Sequence, residues 1–152
     1  MAFVLIIDDD DIVSERASDT LIAAGHACGW VTDVEKARTL LRWRRPDLVL
    51  LDQDLPGVTG GTFLREIRSS AQFYDLPVIM FTAATSASDE TRALYNGAQD
   101  YIRKPFDPKF LIWRVNHALE MRAARPQHQR LEEWLQLQDK LDRDGTSFRS
   151  LA

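Results

Sequence analysis

The chain has 152 residues, a length that favours one domain with a short extension over two full domains. Its net charge of −4 and sequence pI near 5.3 predict no basic face for nucleic acid or anionic lipid. The apolar run at residues 2–7 is too short for a signal peptide or a membrane span, so we expect a cytoplasmic protein without membrane contact.

Strand and helix patterns alternate along the chain. Short apolar runs predict strands at residues 3–7, 27–31, 48–51, 78–81 and 100–103. Helical spacing predicts helices at about 12–24, 34–44, 59–69 and 86–96, and a fifth that begins at Asp107-Pro108. Gly25 and Gly97 follow the first and fourth helices, where glycine commonly ends a helix, and Pro108 suits a first helical position. Five strand–helix units therefore fill residues 1 to about 123.

This alternation predicts an α/β fold with helices on both faces of one parallel sheet. An eight-unit barrel needs about 250 residues, so five units indicate an open, doubly wound sheet. In the flavodoxin-like order 2-1-3-4-5, the ligand crevice opens at the carboxyl ends of strands 1 and 3. We expect any functional site to lie there.

Residues suited to phosphate chemistry follow four of the predicted strands. Asp8 and Asp9 follow the first, Asp52 the third, Thr82 the fourth and Lys104 the fifth. Because the carboxyl ends of parallel strands share one edge of the sheet, these side chains are expected to converge.

Several carboxylates in a half-buried crevice cannot all stay ionised without a cation. With oxygen ligands only, the natural ion is Mg²⁺. A plain alternative is that the acids from Asp8 to Asp11 cap the first helix. We assign Asp8 and Asp9 to the metal because they directly follow the apolar run, and Asp10 in place of Asp8 remains open.

Four motifs in this order resemble the receiver domain of two-component response regulators. They are Ile6-Ile7-Asp8-Asp9, Leu50-Leu51-Asp52-Gln53-Asp54-Leu55-Pro56-Gly57 with Gly60, Phe81-Thr82-Ala83, and Tyr101-Ile102-Arg103-Lys104-Pro105-Phe106. The intervals of 30 residues from Asp52 to Thr82 and 22 from Thr82 to Lys104 are also similar to the spacing in that family. On this basis residues 1–123 form the receiver domain, and 124–152 form a helical tail or linker.

The resemblance implies that Asp52 is the phosphoacceptor. It would receive a phosphoryl group from a histidine kinase or a histidine phosphotransfer protein, forming an acyl phosphate. Mg²⁺ would be held by Asp8, Asp9, Asp52 and the main-chain carbonyl of Asp54. The chain would then be a signalling protein, not a turnover enzyme, that catalyses its own phosphorylation and slow dephosphorylation.

The resemblance also implies a phosphoryl-binding and switching group made of Thr82, Ala83, Lys104 and Tyr101. Lys104 would pair with a phosphoryl oxygen, and the bond before Pro105 is commonly cis in the family. Thr82 would move toward the phosphoryl group, and Tyr101 would rotate inward into the space it leaves. These movements would alter the surface formed by helix 4, strand 5 and helix 5.

Helix 5 carries a second line of aromatic residues beside its expected core face. Phe110, Trp113 and His117 recur at spacings of three and four on what should be the outer side. Exposed aromatic residues suggest a contact surface, and the alternative is that the tail folds back over them. The helix 4, strand 5 and helix 5 surface, or the tail, could form a homodimer.

The tail has near-heptad spacing over residues 127–142. Its candidate positions are Leu131, Trp134, Leu135, Gln138 and Leu141. A helix there could pair with a copy of itself or lead to an output module that this chain lacks, and the apolar ending suggests truncation of a longer polypeptide.

Two readings from other classes stay open. Asp52-Gln53-Asp54 is also similar to the Asp-x-Asp motif of haloacid-dehalogenase phosphohydrolases, although those place it on their first strand. The second alternative is a dimerising scaffold whose pocket is intact but never phosphorylated.

Overall fold

The computed structural model describes residues 2–83, 87–123, 135–136 and 139. The strands are β1 Phe3–Ile7, β2 Ala27–Val31, β3 Leu48–Leu51, β4 Val78–Thr82 and β5 Asp100–Arg103. The helices that alternate with them are α1 Asp11–Ala23, α2 Val34–Trp43, α3 Gly60–Arg68, α4 Ala87–Tyr95 and α5 Pro108–Ala123. The predicted tail lies outside the described residues apart from positions 135, 136 and 139, and so does Ser86, where the fourth helix was expected to start.

The sheet has the order β2-β1-β3-β4-β5, and every neighbouring pair is parallel. The predicted flavodoxin-like fold is therefore confirmed. Within the described ranges, no helix combines the length and apolar character needed to cross a bilayer.

Alternate residues of β1 show why the sheet has helices on both faces. Leu5 and Ile7 pack in a core shared with α2 and α3, whereas Val4 and Ile6 pack in a second core shared with α1 and α5. The four side chains have no exposed surface. A strand that is buried on both faces must be apolar at every position, which explains the continuous apolar runs of β1 and β3.

The helix ends use local polar groups. Asp10, Asp33 and Thr59 cap α1, α2 and α3 by accepting main-chain N–H bonds with their side chains. Gly97 follows α4 with φ of +107°, a conformation that favours glycine, and a Cβ there would also press on the buried Arg68. Arg68 donates to the carbonyl oxygens of Gly97 and Leu76, which ties the α4–β5 connection to the end of α3.

In the loop after β3, the backbone of Gly60 lies very close to the backbone of Asp52 and Gln53. Its N–H donates to the carbonyl oxygen of Gln53 at 3.0 Å, and a Cβ on Gly60 would overlap the main-chain carbonyl of Asp52. The first residue of α3 therefore has to lack a side chain for the helix to lie against the β3 end.

We expect Gly60→Ala to destabilise the protein by about 3 kcal/mol, because the added methyl overlaps rigid backbone. Urea unfolding followed by circular dichroism measures this change. The matched control is Gly61→Ala, whose Cβ would meet only the flexible side chain of Gln53 at 3.2 Å and should change stability by less than about 1 kcal/mol. Equal stabilities for the two variants would show that the approach at Gly60 is not a constraint.

Candidate functional site

The backbone ladder continues past the strand ends and fixes the acids beside one another. Ile7 of β1 pairs with Leu51 of β3 in parallel register. This pairing continues past the strands, since the Asp52 N–H donates to the Ile7 carbonyl at 2.9 Å, and on the β2 side the Asp8 N–H donates to the Val31 carbonyl at 3.0 Å. The two aspartates that directly follow β1 and β3 are therefore neighbours on one edge of the sheet.

Three carboxylates meet at this edge. Oxygen atoms of Asp8, Asp9 and Asp52 all lie within 4.8 Å of one another. Asp8 has no exposed surface and Asp52 is 5% exposed, whereas Asp9 is open to solvent. The site is thus a crevice with two sheltered acids and one acid at its mouth.

Lys104 supplies the positive charge in this crevice. Its ammonium contacts the carboxylate of Asp8 and lies 3.4 Å from Oδ2 of Asp52. Its side chain is only 13% exposed, and Nζ lies 5.3 Å from the centre of the Phe81 ring. The lysine is therefore a sheltered counter-ion shared by two acids that come from different strands.

The surroundings of Asp8 disfavour the ionised form of its carboxyl. Burial raises the pKa of the Asp8 carboxyl above its usual range, and the negative charge of Asp52 adds to that rise. Hydrogen bonds from Lys104 and from the Asp10 N–H oppose it without cancelling it. A further cation at the crevice would favour the ionised form of Asp8.

Asp10 has a separate structural task. Its Oδ1 accepts the main-chain N–H groups of Ile12 at 3.1 Å and Val13 at 3.2 Å, which makes it the N-cap of α1. The helix-cap interpretation therefore applies to Asp10, whereas the clustered carboxylates include Asp8 and Asp9.

The crevice fits Mg²⁺ by its donor set. The one cluster of possible metal ligands among the described residues consists only of carboxylates, and hard divalent cations prefer such oxygen donors. Asp54, whose main-chain carbonyl is the fourth predicted ligand, is exposed, and its N–H lies 3.4 Å from Oδ1 of Asp52. The raised pKa of Asp8 agrees with a site that is incomplete without a cation.

Thr82, Ala83 and Lys104 lie at the neighbouring strand ends. Thr82 is fully buried at the end of β4, Ala83 beside it is exposed, and the Lys104 N–H donates to the Thr82 carbonyl at 3.0 Å. The bond between Lys104 and Pro105 is cis, as the resemblance implied. The hydroxyl-bearing residue and the lysine are thus joined through the β4 and β5 ends.

Tyr101 is only 7% exposed, so its side chain already lies inward in this structure. The movement of Thr82 and Tyr101 with phosphorylation stays a prediction. Burial, with the nearby Asp89 charge, raises the pKa of the Tyr101 phenol. Tyr101 lines a cavity of about 300 Å³ under α4 together with Met80 and Ala93.

Sequence reasoning missed the residues that connect this cavity to the crevice. The Gln53 side chain accepts the Gly61 N–H at 2.8 Å and lines the cavity together with Asp54. Arg92 of α4 and Asn96, which directly follows α4, line the same space. No spacing rule marked these residues, because their proximity depends on how α4 lies over the sheet.

The α5 aromatic line is exposed, as its spacing predicted. Phe110 is 42% exposed, Trp113 is 59% exposed, and His117 is also open to solvent. The Trp113 and His117 rings stack with centroids 5.1 Å apart, and the Arg114 guanidinium lies 4.5 Å from the centre of the Phe110 ring. These contacts give the outer face of α5 an ordered aromatic surface.

Comparison with known sequences gives one consistent family. The family model described as "Response regulator receiver domain" matches residues 4–116. The chain is 37% identical over 123 residues to the DNA-binding response regulator MtrA of Mycolicibacterium smegmatis, covering 81% of this chain and 53% of MtrA. It is 35% identical over 116 residues to the phosphate regulon transcriptional regulatory protein PhoB of Pseudomonas aeruginosa, covering 76% of this chain and 51% of PhoB.

A solved structure of similar fold comes from Chloroflexus aurantiacus. That response regulator superposes with a TM-score of 0.75 at 34% identity, covering 78% of this chain and 98% of its own. The chain spans about half the length of the curated relatives it matches. Because MtrA is named as DNA-binding, the comparisons do not support our expectation that nucleic acid is excluded as a partner.

We expect Asp8→Asn to stabilise the metal-free protein at neutral pH by about 1 kcal/mol, since the variant removes a charge whose pKa is raised by burial. The folded state binds a proton at Asp8 more tightly than the unfolded chain does. Stability of the wild type therefore declines as pH rises from the usual aspartate range through the raised pKa, and the gap to the variant widens over that interval. Thermal unfolding at several pH values measures the gap.

Added Mg²⁺ should reverse the order, by stabilising the wild type and leaving Asp8→Asn nearly unchanged. The matched control is Asp10→Asn, which keeps an N-cap acceptor and should respond to Mg²⁺ as the wild type does. If Asp8→Asn responds fully to Mg²⁺ and Asp10→Asn does not, the assignment of the two acids is wrong.

Proposed function

The chain belongs to the response regulator receiver domain family, and from that membership we propose that Asp52 is its phosphoacceptor. The observation that carries the proposal is the position of Asp52 between a sheltered ammonium and two further acids. One of its carboxylate oxygens lies 3.4 Å from Lys104, and its other oxygen faces the Asp54 N–H at the same distance. The side chain keeps 7% of its surface exposed.

The proposed reaction is phosphoryl transfer from a phosphohistidine of a histidine kinase or a histidine phosphotransfer protein. An Asp52 oxygen forms a bond to phosphorus while the bond between phosphorus and the imidazole nitrogen breaks, leaving an acyl phosphate on Asp52 and a free imidazole. Lys104 then pairs with a phosphoryl oxygen, and the Thr82 hydroxyl and the neighbouring Ala83 main chain bind the rest of the group.

Asp8, Asp9, Asp52 and the Asp54 carbonyl would hold Mg²⁺. The bound ion would neutralise negative charge on the transferring group. Asp8 contributes an ionised oxygen that the crevice otherwise disfavours, and Asp9 contributes one at the solvent side. The buried β1 and β3 ends keep both acids in place, so that little reorganisation is needed when the group arrives.

Signalling follows from a change at Thr82 and Tyr101. We propose that the phosphoryl group draws Thr82 toward it and stabilises the inward position that Tyr101 already has in this structure. α4 contributes no buried residue to the core, so it is the element above the cavity that can shift at low cost. The surface of α4, β5 and α5 would then carry the signal.

The phosphohydrolase alternative is not supported by a specific observation. Asp52 follows β3, the third strand, whereas the haloacid-dehalogenase motif belongs on the first. The family match and the acids that follow β1 both point to the receiver. The chain spans about half the length of its curated relatives. For the whole protein we therefore also propose an output module that acts on a target.

Incubation with acetyl phosphate and Mg²⁺ should add one phosphoryl group to the wild type, because the crevice itself activates Asp52. Intact-mass spectrometry measures the addition. Asp52→Asn keeps the shape of the side chain and should show none. Asp107→Asn, an exposed acid at the start of α5, is the matched control and should be phosphorylated as the wild type is.

If the Asp52→Asn variant were phosphorylated, the acceptor would be another residue. Multiple turnovers of a phosphomonoester would support the phosphohydrolase instead. Normal signalling in cells by Asp52→Asn would support the unphosphorylated scaffold.

Trp113→Ala should weaken self-association or partner binding by about tenfold, because it removes the most exposed aromatic side chain of the α5 line. Sedimentation velocity, with and without beryllofluoride, measures self-association. Thermal stability should stay near the wild-type value, since Trp113 lies outside both cores. Unchanged sedimentation and unchanged kinase binding would refute a contact role for this face.

A further inference from the structure

A basic and aromatic surface lies at the end of α2, far from the phosphoacceptor crevice in the fold. It consists of Arg42, Trp43, Arg44 and Arg45, which we call the arginine–tryptophan patch. All four residues are exposed. Three of the 19 basic residues of a chain with net charge −4 thus lie within four positions. The patch is a local exception to the acidic character of the molecule.

Trp43 is the most exposed large apolar side chain among the described residues, at 85%. The buried positions of α2 are Val34, Ala37 and Leu41, which form the face toward the sheet, and Trp43 does not belong to that series. A single exposed apolar residue is ordinary in a soluble protein, so Trp43 by itself would carry no argument. Its position between ordered arginines is what makes it a candidate anchor.

Two of the arginines are held in place by ring and polar contacts. The Arg44 guanidinium lies 4.0 Å from the centre of the Phe3 ring. Arg45 bonds to Oδ1 of Asp75 at 2.8 Å and lies 5.5 Å from the centre of the Phe73 ring. A guanidinium that lies on a ring loses less conformational entropy when it binds, so Arg44 is prepared for an anionic partner, and Arg45 orders the edge of the patch through Asp75.

The patch sits at the amino-terminal edge of the sheet. Phe3, the first residue of β1, exchanges bonds with Asp47, because its N–H donates to the Asp47 carboxylate at 2.7 Å and its carbonyl accepts the Asp47 N–H at 2.8 Å. The crevice lies at the opposite, carboxyl edge, beyond Ile7. A partner on the patch would therefore leave the phosphoacceptor accessible.

We propose that the arginine–tryptophan patch binds an acidic segment of a partner protein that carries an apolar side chain between carboxylates. Guanidinium forks match carboxylates in bidentate pairs, and an exposed indole offers a large rigid surface for the apolar residue. Charge complementarity selects the partner, because Arg42 and Arg44 place positive charge at the patch of an otherwise acidic protein, whereas Arg45 is already paired with Asp75.

An extended polyanion such as single-stranded nucleic acid fits less well. Asp47 and Asp75 lie directly beside the patch, and Asp75 already pairs with Arg45 and, at 3.6 Å, with Arg122. A nucleic acid places a phosphate at every nucleotide and gains affinity from each one that is neutralised, so flanking acids would oppose it. A short acidic peptide can place its carboxylates on the arginines alone.

The test uses a fluorescein-labelled peptide of glutamates around a central Leu-Phe pair, and fluorescence anisotropy with the whole chain. We expect saturable binding that weakens at roughly 0.5 M salt and falls by at least about tenfold in Trp43→Ala and in Arg42→Ala. The matched control is Lys36→Ala, which removes one positive charge from the other end of α2 and should bind as the wild type does. A scrambled peptide with lysine in place of glutamate should not bind.

Phosphorylation by acetyl phosphate should be unchanged in all three variants, which shows that they are folded and separates this surface from the crevice. Failure of phosphorylation in the wild type would refute the proposed function, but it would not affect the proposal that the patch binds an acidic segment. The acidic-segment assignment would be overturned if the acidic peptide did not bind, or if Lys36→Ala lost as much affinity for it as the patch variants. Tighter binding of an oligothymidylate, or self-association that depends on Trp43, would overturn it as well.

Discussion

The structure depends on like charges that the parallel sheet forces together. β1 and β3 are neighbours in register, so the residues that follow them, Asp8 and Asp52, must share one edge. Asp8 is fully buried there, and its raised pKa means that the crevice disfavours the ionised carboxyl. Lys104 offsets part of this cost by reaching both acids from β5. Such a group is expensive for stability, and a bound cation would offset the repulsion between the carboxylates.

The packing around the crevice shows how the fold tolerates this cost. β1, β3 and β4 are buried on both faces, and their apolar side chains join two cores. The loop after Asp52 is fixed by Gly60, whose missing side chain allows α3 to lie against the Asp52 carbonyl. Rigid strands thus hold the reactive groups in position, which is what electrostatic preorganisation requires.

The elements that would respond are packed differently. α4 contributes no buried residue and lies above a cavity of about 300 Å³ beside Tyr101. Its C-terminal end is held through Gly97, whose carbonyl accepts a bond from the buried Arg68. A helix that is anchored at one end and loosely packed along its length can move with little loss of buried surface. The molecule therefore combines a well-packed crevice with a weakly packed helix beside it.

The sequence by itself determined the fold class, the strand order and the identity of the residues at the strand ends. Apolar runs, helix stops such as Gly25 and Gly97, and the motifs around Asp52 and Lys104 are local signals, and local signals can be read from the chain. The family followed from the same motifs. It could not be read from the sequence that Asp10 caps α1 while Asp8 faces the crevice, because both choices satisfy the same run of acids.

Only the tertiary structure decided the inward position of Tyr101, the cavity under α4, the near approach at Gly60, and the stacking of Arg44 on Phe3. These features join residues that are far apart in the chain or on separate elements. Burial and distance between elements arise from how helices pack on a sheet, and no periodic pattern along one segment encodes that packing.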